Sequence, residues 1–482
     1  MSLTKKTIGG FVWTFIEQFS NRGISIVVTL LLAYFLTPDD YGLVAMMAVF
    51  LAVANSLMDM GFNQALIRKQ DATEVDFSTA FYVNFILGIV SYLLLFISAP
   101  LIAAYYNETP LTLLLRAAGI VIIINSFQFV PRSVLTRDLN FKTQLKATVP
   151  ATFISGLCAV IMAYAGFGVW ALITQTIVSS LIITILLWSM SDIWKPTFSF
   201  SWDSLSEMFD FGSKLFVSGF LDIIFKNIYV IFIAKLFSTS IAGHYFFATK
   251  IKDLILLQLV DSIQKVTYPS LSTVQDDDIR LKAGYRKIIQ VTTFVFFPVI
   301  TLTAALAEPL LLALFSEKWL PAVPYLQLMC IAGLIYPLNA INVNMLKVKG
   351  RSDIYLRLGL LEKFNITVIL IMSSQFGVIA ILIGQIIASV LSYLPNSYYS
   401  GKLINYTASE QLKDIFPGLC LSGSIALVVF FALSISTLPV LIELPLLAAT
   451  AAVLYIAIGY AFKMEAVKIA KLIIADKLKK TT

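Results

Sequence analysis

Two runs of polar side chains interrupt otherwise apolar stretches of this chain, at spacings that put each run on one side of a helix. Thr14, Gln18, Asn21, Arg22, Ser25 and Thr29, with Glu17 at the edge, recur every three or four residues, the period at which side chains share a helical face. Lys214, Ser218, Asp222 and Lys226 follow at four-residue intervals, a second slowly turning stripe. Lys250, Lys252, Lys363 and Arg116 add positive charge inside other apolar runs. An ionisable side chain at the centre of a bilayer costs about 2.5 to 3.5 kcal/mol on insertion scales, so it faces a cavity or a partner. Two such stripes make a wet cleft, and an excess of bases in it would receive an anionic group such as a phosphate. The competing reading is internal pairing: Asp222 with Lys226 fits an i,i+4 ion pair, and Glu17, Asp253 and Glu362 stand available to other bases. The expected cationic set is Arg22, Lys226, Lys250, Lys252 and Arg116, and the expected cavity lining is Glu17, Gln18, Asn21, Ser25, Ser218, Asp222, Asn125 and Asn339.

The elements that must position these residues are membrane spans. The chain of 482 residues is 59% hydrophobic and 13% charged, with a mean hydropathy of +0.86, whereas an ordinary soluble domain carries roughly 25% charged residues. Apolar stretches long enough to cross a hydrocarbon core of roughly 30 Å recur from end to end, and backbone satisfaction in lipid makes them helices. Fourteen spans are expected, at about 8–35, 41–60, 76–105, 111–132, 144–165, 167–189, 209–236, 241–264, 286–306, 322–346, 352–373, 376–399, 412–434 and 439–462. The fold class is therefore all-α and polytopic.

Charge bias orients the spans. Segments expected inside, with the few residues flanking them, hold 26 of the 35 Lys and Arg, and those expected outside hold one, Lys318. That asymmetry predicts both termini in the cytoplasm and an even number of crossings. The start, MSLTKK then IGGFVWTF, resembles a signal peptide, but its apolar run continues to Phe35 without a small-residue cleavage site, so it is expected to stay as the first span. The tail from Met464 sets lysines against Val467, Leu472 and Ile473 at helical spacing, which reads as an amphipathic helix on an anionic leaflet or as a topology anchor.

Four segments of the first six spans recur in the next six. LTPDDYG ending at Gly42 matches FSTSIAG ending at Gly243, and SAPLIAAYYNE ending at Glu108 matches AEPLLLALFSE ending at Glu317. Gly119, Asn125 and Arg137 align with Gly333, Asn339 and Arg351, and FGVWAL from Phe167 aligns with FGVIAI from Phe376. Six is even, so the halves cross in the same orientation, as in two-lobed transporters whose site lies between lobes near mid-membrane. The expected division is an amino-terminal lobe over 1–190, a carboxyl-terminal lobe over 191–405, and two further helices with a basic tail over 406–482.

Other candidates read blandly. Cys158, Cys330 and Cys420 lack metal or disulfide spacing and are expected to pack. His244 is expected at the interface rather than in a proton relay, and Asp276, Asp277 and Asp278 in a solvated turn rather than around a metal. Glu17, Asp59 and Asp261 are candidate coupling acids that serve equally well at helix ends or in pairs. No GxxxxGK[ST] loop is present, which argues against ATP hydrolysis in the chain.

The runs LLLAYFLTPDDYGLVAMMAVF, DMGFNQALIRKQD, AFYVNFILG and LTRDLNF resemble the polysaccharide transporter family of lipid-linked oligosaccharide flippases, in particular the colanic-acid and teichuronic-acid exporter branch of the multidrug, oligosaccharidyl-lipid and polysaccharide exporter superfamily. The resemblance implies two six-helix lobes in a V and two extra helices that in some relatives form a groove for a lipid tail. It implies as cargo an undecaprenyl-pyrophosphate-linked oligosaccharide moved from the inner to the outer leaflet of a bacterial plasma membrane. Arg22 and Lys226 would accept its pyrophosphate. The partners implied are that glycan, the lipid bilayer and the polymerase or assembly machinery of a surface polysaccharide; neither a cofactor nor a nucleic acid is expected. Two alternatives stand beside it: a multidrug antiporter, which would favour acids over bases in the cavity, and a membrane polymerase or glycosyltransferase, which generally needs a large extramembrane loop or a carboxylate and histidine constellation.

Overall fold

The computed structural model describes residues 3–69, 71–190, 194–436 and 438–468, with the side chains of 3–12, 15, 257–266 and 268–270 outside the description. Among the described residues the regular structure is all helical: α1 Leu3–Phe35, α2 Pro38–Asp59, α3 Phe62–Arg68, α4 Glu74–Tyr106, α5 Leu111–Arg137, α6 Phe141–Tyr164, α7 Trp170–Ser189, α8 Trp202–Leu236, α9 Thr239–Ser272, α10 Asp278–Ala305, α11 Ala307–Leu314, a 3-10 turn Glu317–Ala322, α12 Val323–Gly333, α13 Tyr336–Val348, α14 Ser352–Ser374, α15 Val378–Ile404, α16 Ala408–Ile435 and α17 Val440–Ala461. Thirteen of the fourteen expected spans each coincide with one of these helices. The tenth is broken at Leu334 and Ile335 into α12 and α13, and the short α3 lies where only a loop was expected.

Eleven helical segments among the described residues are long and apolar enough to cross a bilayer. The helices α1, α9 and α14 cover three of the expected spans without being among them. They are polar for a reason visible in the sequence: α1 carries Glu17 and Arg22, α9 carries Lys250, Lys252 and Asp253, and α14 carries Arg357, Glu362 and Lys363.

Helix ends follow local chemistry. Thr37 precedes Pro38, whose fixed φ suits a first turn, and the Thr37 amide donates to Asp40 Oδ2 at 2.9 Å while Thr37 Oγ1 accepts from the Asp40 amide at 3.3 Å, a reciprocal cap. The same device starts α16, where the Thr407 amide donates to Glu410 Oε2 at 2.9 Å. Asp277, in the expected acidic turn, caps α10 by accepting from the amides of Ile279 and Arg280 at 3.1 and 3.0 Å.

The chain forms two compact units, Met1–Gly243 and His244–Thr482. In the first, α6 packs between α1 and α7, α5 against α4 and α7, and α2 against α4, α5 and α8. The sequence repeat places a boundary near 190, and this unit also contains α8, which packs on α2, α3 and α4. Glycines permit that packing. A Cβ on Gly61 would lie 2.6 Å from the Gly212 carbonyl oxygen, and one on Gly212 would lie 2.5 Å from that of Met60. At the other end of α2, a Cβ on Gly42 would collide with the Thr239 carbonyl oxygen and one on Gly243 with that of Pro38. Gly42 and Gly243 are partners in the sequence repeat, so the contact is itself two-fold in pattern. An aromatic core of Phe62, Phe77, Phe81 and Phe129 with Trp188 and Trp194 fills the end of the unit near α3.

In the second unit, α10 packs on α12 and α16, α15 on α12, α13 and α14, and α17 on α16 and α11. Leu306, Ile425, Val429, Ala451 and Tyr455 form a core there. His244 is buried: its Nε2 lies 3.0 Å from the Lys318 carbonyl oxygen and its ring meets Trp319 edge-on. Cys330 is buried as expected, Cys158 is half-buried, and Cys420 is exposed in place of packing. Of the expected tail helix, residues beyond Lys468, Leu472 and Ile473 among them, lie outside the described residues, as does the Asp261 side chain.

Candidate functional site

The polar stripe of α1 is divided between two tasks. Glu17 and Asn21 lie four apart on α1, Thr148 and Thr152 four apart on α6, so each pair shares a face and the two meet as a ladder. The Thr148 hydroxyl donates to Glu17 Oε1 at 2.8 Å, the Asn21 amide to Thr148 Oγ1 at 3.3 Å, and the Thr152 hydroxyl to Asn21 Oδ1 at 3.0 Å. Such bonds between membrane helices average about 0.6 kcal/mol and reach about 1.7, enough to fix the rotation of α1 on α6. Gln18, Arg22 and Ser25 lie further round α1 and are half-buried. Among the described residues no hydrogen bond or ion pair engages Arg22.

On α8 the stripe residues Lys214, Ser218, Asp222 and Lys226 are exposed, while Met208, Gly212 and Ile228 are buried. Lys214 pairs with Asp210 at 2.9 Å. Arg22 and Lys226 therefore belong to the same compact unit, on helices whose polar faces are left accessible by packing. In the second unit Lys252 pairs with Asp253 at 3.1 Å, and Lys250 and Lys363 are half-buried. Arg116 turns to α4, its guanidinium 4.2 Å from the centroid of the Phe96 ring and its Nε donating to the Phe96 carbonyl at 3.3 Å.

Asn125 and Asn339, matched in the repeat, both sit in helix-to-helix hydrogen bonds. The Asn125 amide donates to Asn55 Oδ1 at 3.1 Å and its Oδ1 accepts from the Ser180 hydroxyl at 3.0 Å. Asn339 Oδ1 accepts from the Asn396 amide at 3.2 Å. One turn further on, Gln128 and Asn342 keep the same offset of 214 and are the hubs of buried networks. Gln128 donates to Ser180 O at 2.8 Å and Thr184 Oγ1 at 2.9 Å. Asn342 accepts from the Tyr285 hydroxyl at 2.7 Å and donates to Gln411 Oε1 at 3.2 Å.

A residue not selected from the sequence completes the picture. Arg132 on α5 lines a polar cavity of about 250 Å³ with Glu17, Asn63, Thr136, Gln144, Thr148, Ile183 and Leu187. Near the end of a span, Arg132 counts toward the positive-inside tally and is passed over as a topology charge. The signal was present, because Asn125, Gln128, Arg132 and Thr136 recur at three or four residues along α5.

The second unit holds a larger groove of about 560 Å³, at the end where α10 and α16 begin and α17 finishes. Phe294, Pro417, Leu421, Ile458 and Phe462 give it apolar walls, Cys420 opens onto it, and Arg286, Lys413, Asp414 and Glu465 stand among its lining. Arg286 holds Asp414 with two bonds of 2.6 and 2.5 Å, and the Tyr406 hydroxyl donates to the same carboxylate at 2.6 Å. Among the described residues no group of His, Cys, Asp and Glu has the clustering a metal ion needs.

The chain is 25% identical over 440 residues to the teichuronic acid biosynthesis protein TuaB of Bacillus subtilis (strain 168), covering 90% of each chain. It is 26% identical over 401 residues to the lipopolysaccharide biosynthesis protein WzxC of Escherichia coli (strain K12), covering 82% of this chain and 81% of that one. Its fold is similar to that of the lipid II flippase MurJ in an inward closed conformation, with a TM-score of 0.70 at 14% identity over 94% of this chain and 100% of that one. Residues 31–324, more than half of the chain, match the polysaccharide biosynthesis protein family, so this multi-pass membrane protein belongs to that family.

Proposed function

We propose that the chain is a flippase that carries an undecaprenyl-pyrophosphate-linked oligosaccharide from the cytoplasmic to the outer leaflet of a bacterial plasma membrane, supplying a cell-surface polysaccharide. The carrying observation is the pair of polar helix faces in a member of a polysaccharide biosynthesis family: α1 presents Arg22 and α8 presents Lys226. Intramembrane bases left accessible by packing fit a polyanionic headgroup, and they cost too much to retain without a task. The names of the relatives agree, since TuaB and WzxC are biosynthesis proteins and MurJ is a lipid II flippase.

In this reading, residues 1–190 and 191–405 are two lobes that alternate access around the headgroup, both termini are cytoplasmic, and the protein moves its cargo without transforming it. The groove among α10, α16 and α17 suits a polyprenyl tail, because its walls are apolar and its charged residues lie at one end. A bacterium deprived of this chain should accumulate its lipid-linked oligosaccharide in the inner leaflet. That is read by protection of the glycan from a membrane-impermeant sugar oxidant applied to intact cells. Unchanged oxidation from outside would reject the proposal.

A further inference from the structure

The cavity around Arg132 belongs wholly to the first compact unit, with walls from α1, α3, α5, α6 and α7. Arg132 is accessible to solvent, and among the described residues no hydrogen bond or ion pair engages its guanidinium. A guanidinium carries five N–H donors in a planar fork that matches a carboxylate or phosphate. The one carboxylate in the wall, Glu17, accepts from the Thr148 hydroxyl at 2.8 Å and makes no ion pair with Arg132. The Gln144 amide donates to the Thr136 hydroxyl at 2.9 Å, and Asn63 Oδ1 accepts from the Ser133 hydroxyl at 2.7 Å. The cationic donors of the cavity are therefore those of the arginine, and the Asn63 side-chain amide and the second Gln144 N–H stand beside them without an acceptor among the described residues.

Depth and size narrow the occupant. Arg132 lies 21 residues from Leu111 along α5, and Glu17 lies 18 from Phe35 along α1. At about 1.5 Å per residue these are about 30 and 27 Å, close to a full hydrocarbon thickness of about 30 Å, so the cavity sits at a headgroup level of one leaflet. Sites for whole small molecules run to about 300–1,000 Å³, and this cavity, at about 250 Å³, takes one charged group rather than an oligosaccharide.

We propose that Arg132 forms an oxyanion subsite, separate from the stripes of Arg22 and Lys226, that takes a single phosphate or sugar carboxylate at headgroup depth, with Glu17 opposing its occupancy. That this anion is part of the cargo rests on the flippase reading; the subsite itself does not.

The test is anion binding by the purified full-length protein, with inorganic pyrophosphate, glucuronate and, as a neutral control, glucose. The proposal expects at least one anion to bind and glucose not to. Arg132→Gln should weaken that anion by about tenfold or more, with Arg132→Lys between it and wild type. Glu17→Gln should tighten binding several-fold, an opposite sign that general damage to the fold would not produce. Melting temperatures of the four proteins identify any variant that fails to fold, and Glu17→Gln decides the matter if Arg132→Gln does. Binding of pyrophosphate alone assigns the phosphate, and of glucuronate alone an acidic sugar. No anion bound by wild type, equal binding by Arg132→Gln, or weaker binding by Glu17→Gln overturns the subsite. Anion binding by a protein that moves no lipid in vesicles overturns the flippase reading and leaves the subsite standing.

Discussion

Two kinds of polar side chain within the helices, those bonded to a neighbouring helix and those facing accessible space, respond differently to mutation. Asn342 belongs to the first kind: it joins Tyr285 and Gln411 while fully buried. Asn342→Leu would strand those partners, and an unsatisfied buried polar group costs about 1–3 kcal/mol. A clear fall in the melting temperature of the purified protein is expected, with loss of transport only in proportion to lost fold. Arg22→Ala should do the reverse, leaving the melting temperature within a degree or two and abolishing transport. Lys69, outside the spans, donates to Glu207 at 2.8 Å and Asp76 at 3.1 Å, and the bond to Glu207 holds its ammonium above the usual lysine range. A raised lysine stabilises the fold fully below its unfolded value, roughly pH 10.4, and loses that contribution only as pH rises through the folded value. Glu207→Gln should therefore lower thermal stability slightly and equally across the neutral range, with the difference closing only in strong alkali; a gap that opened on acidification would contradict it.

At the scale of elements, backbone contact through glycine sets how α2 meets its neighbours. Gly61 and Gly212 leave no room for a methyl, with backbone atoms at 2.6 and 2.5 Å from the place a Cβ would occupy. Overpacking of a close helix contact costs about 1–3 kcal/mol, so Gly212→Ala should reduce folded yield and melting temperature, whereas Gly359→Ala, with nothing within 4 Å, should not. The groove offers a natural probe. Cys420 is exposed on it while Cys330 is buried, so maleimide should label Cys420 readily, and a polyprenyl phosphate should slow that labelling several-fold if a lipid tail lies there. The positions of the helices were legible in the sequence, because apolar length and polar breaks are both local. The break between α12 and α13 was not, nor was α3, since seven residues, FNQALIR, carry too few turns to show a period. Arg132 was hidden for a related reason: sequence gives its distance from a span end but not the concavity that α1, α3, α6 and α7 build around it.

Across the whole molecule, the repeat is both a record in the sequence and a feature of the packing. Gly42 and Gly243, aligned at an offset of 201, meet at the starts of α2 and α9; Gln128 and Asn342 are hubs of buried networks at an offset of 214. The charge bias adds a direction the helices alone do not carry. In a variant lacking the native cysteines, Lys318→Cys should react with an impermeant thiol reagent in intact cells and Arg280→Cys only after lysis. The reverse pattern would invert the proposed topology. Most directly, fluorescent undecaprenyl-pyrophosphate oligosaccharide can be followed across vesicles reconstituted with wild type, Arg22→Ala or Lys226→Ala. The account predicts that wild type moves the lipid and that either variant, folded and inserted to the same extent, moves little of it. A wild type that leaves the lipid in place while expelling small organic cations would contradict it.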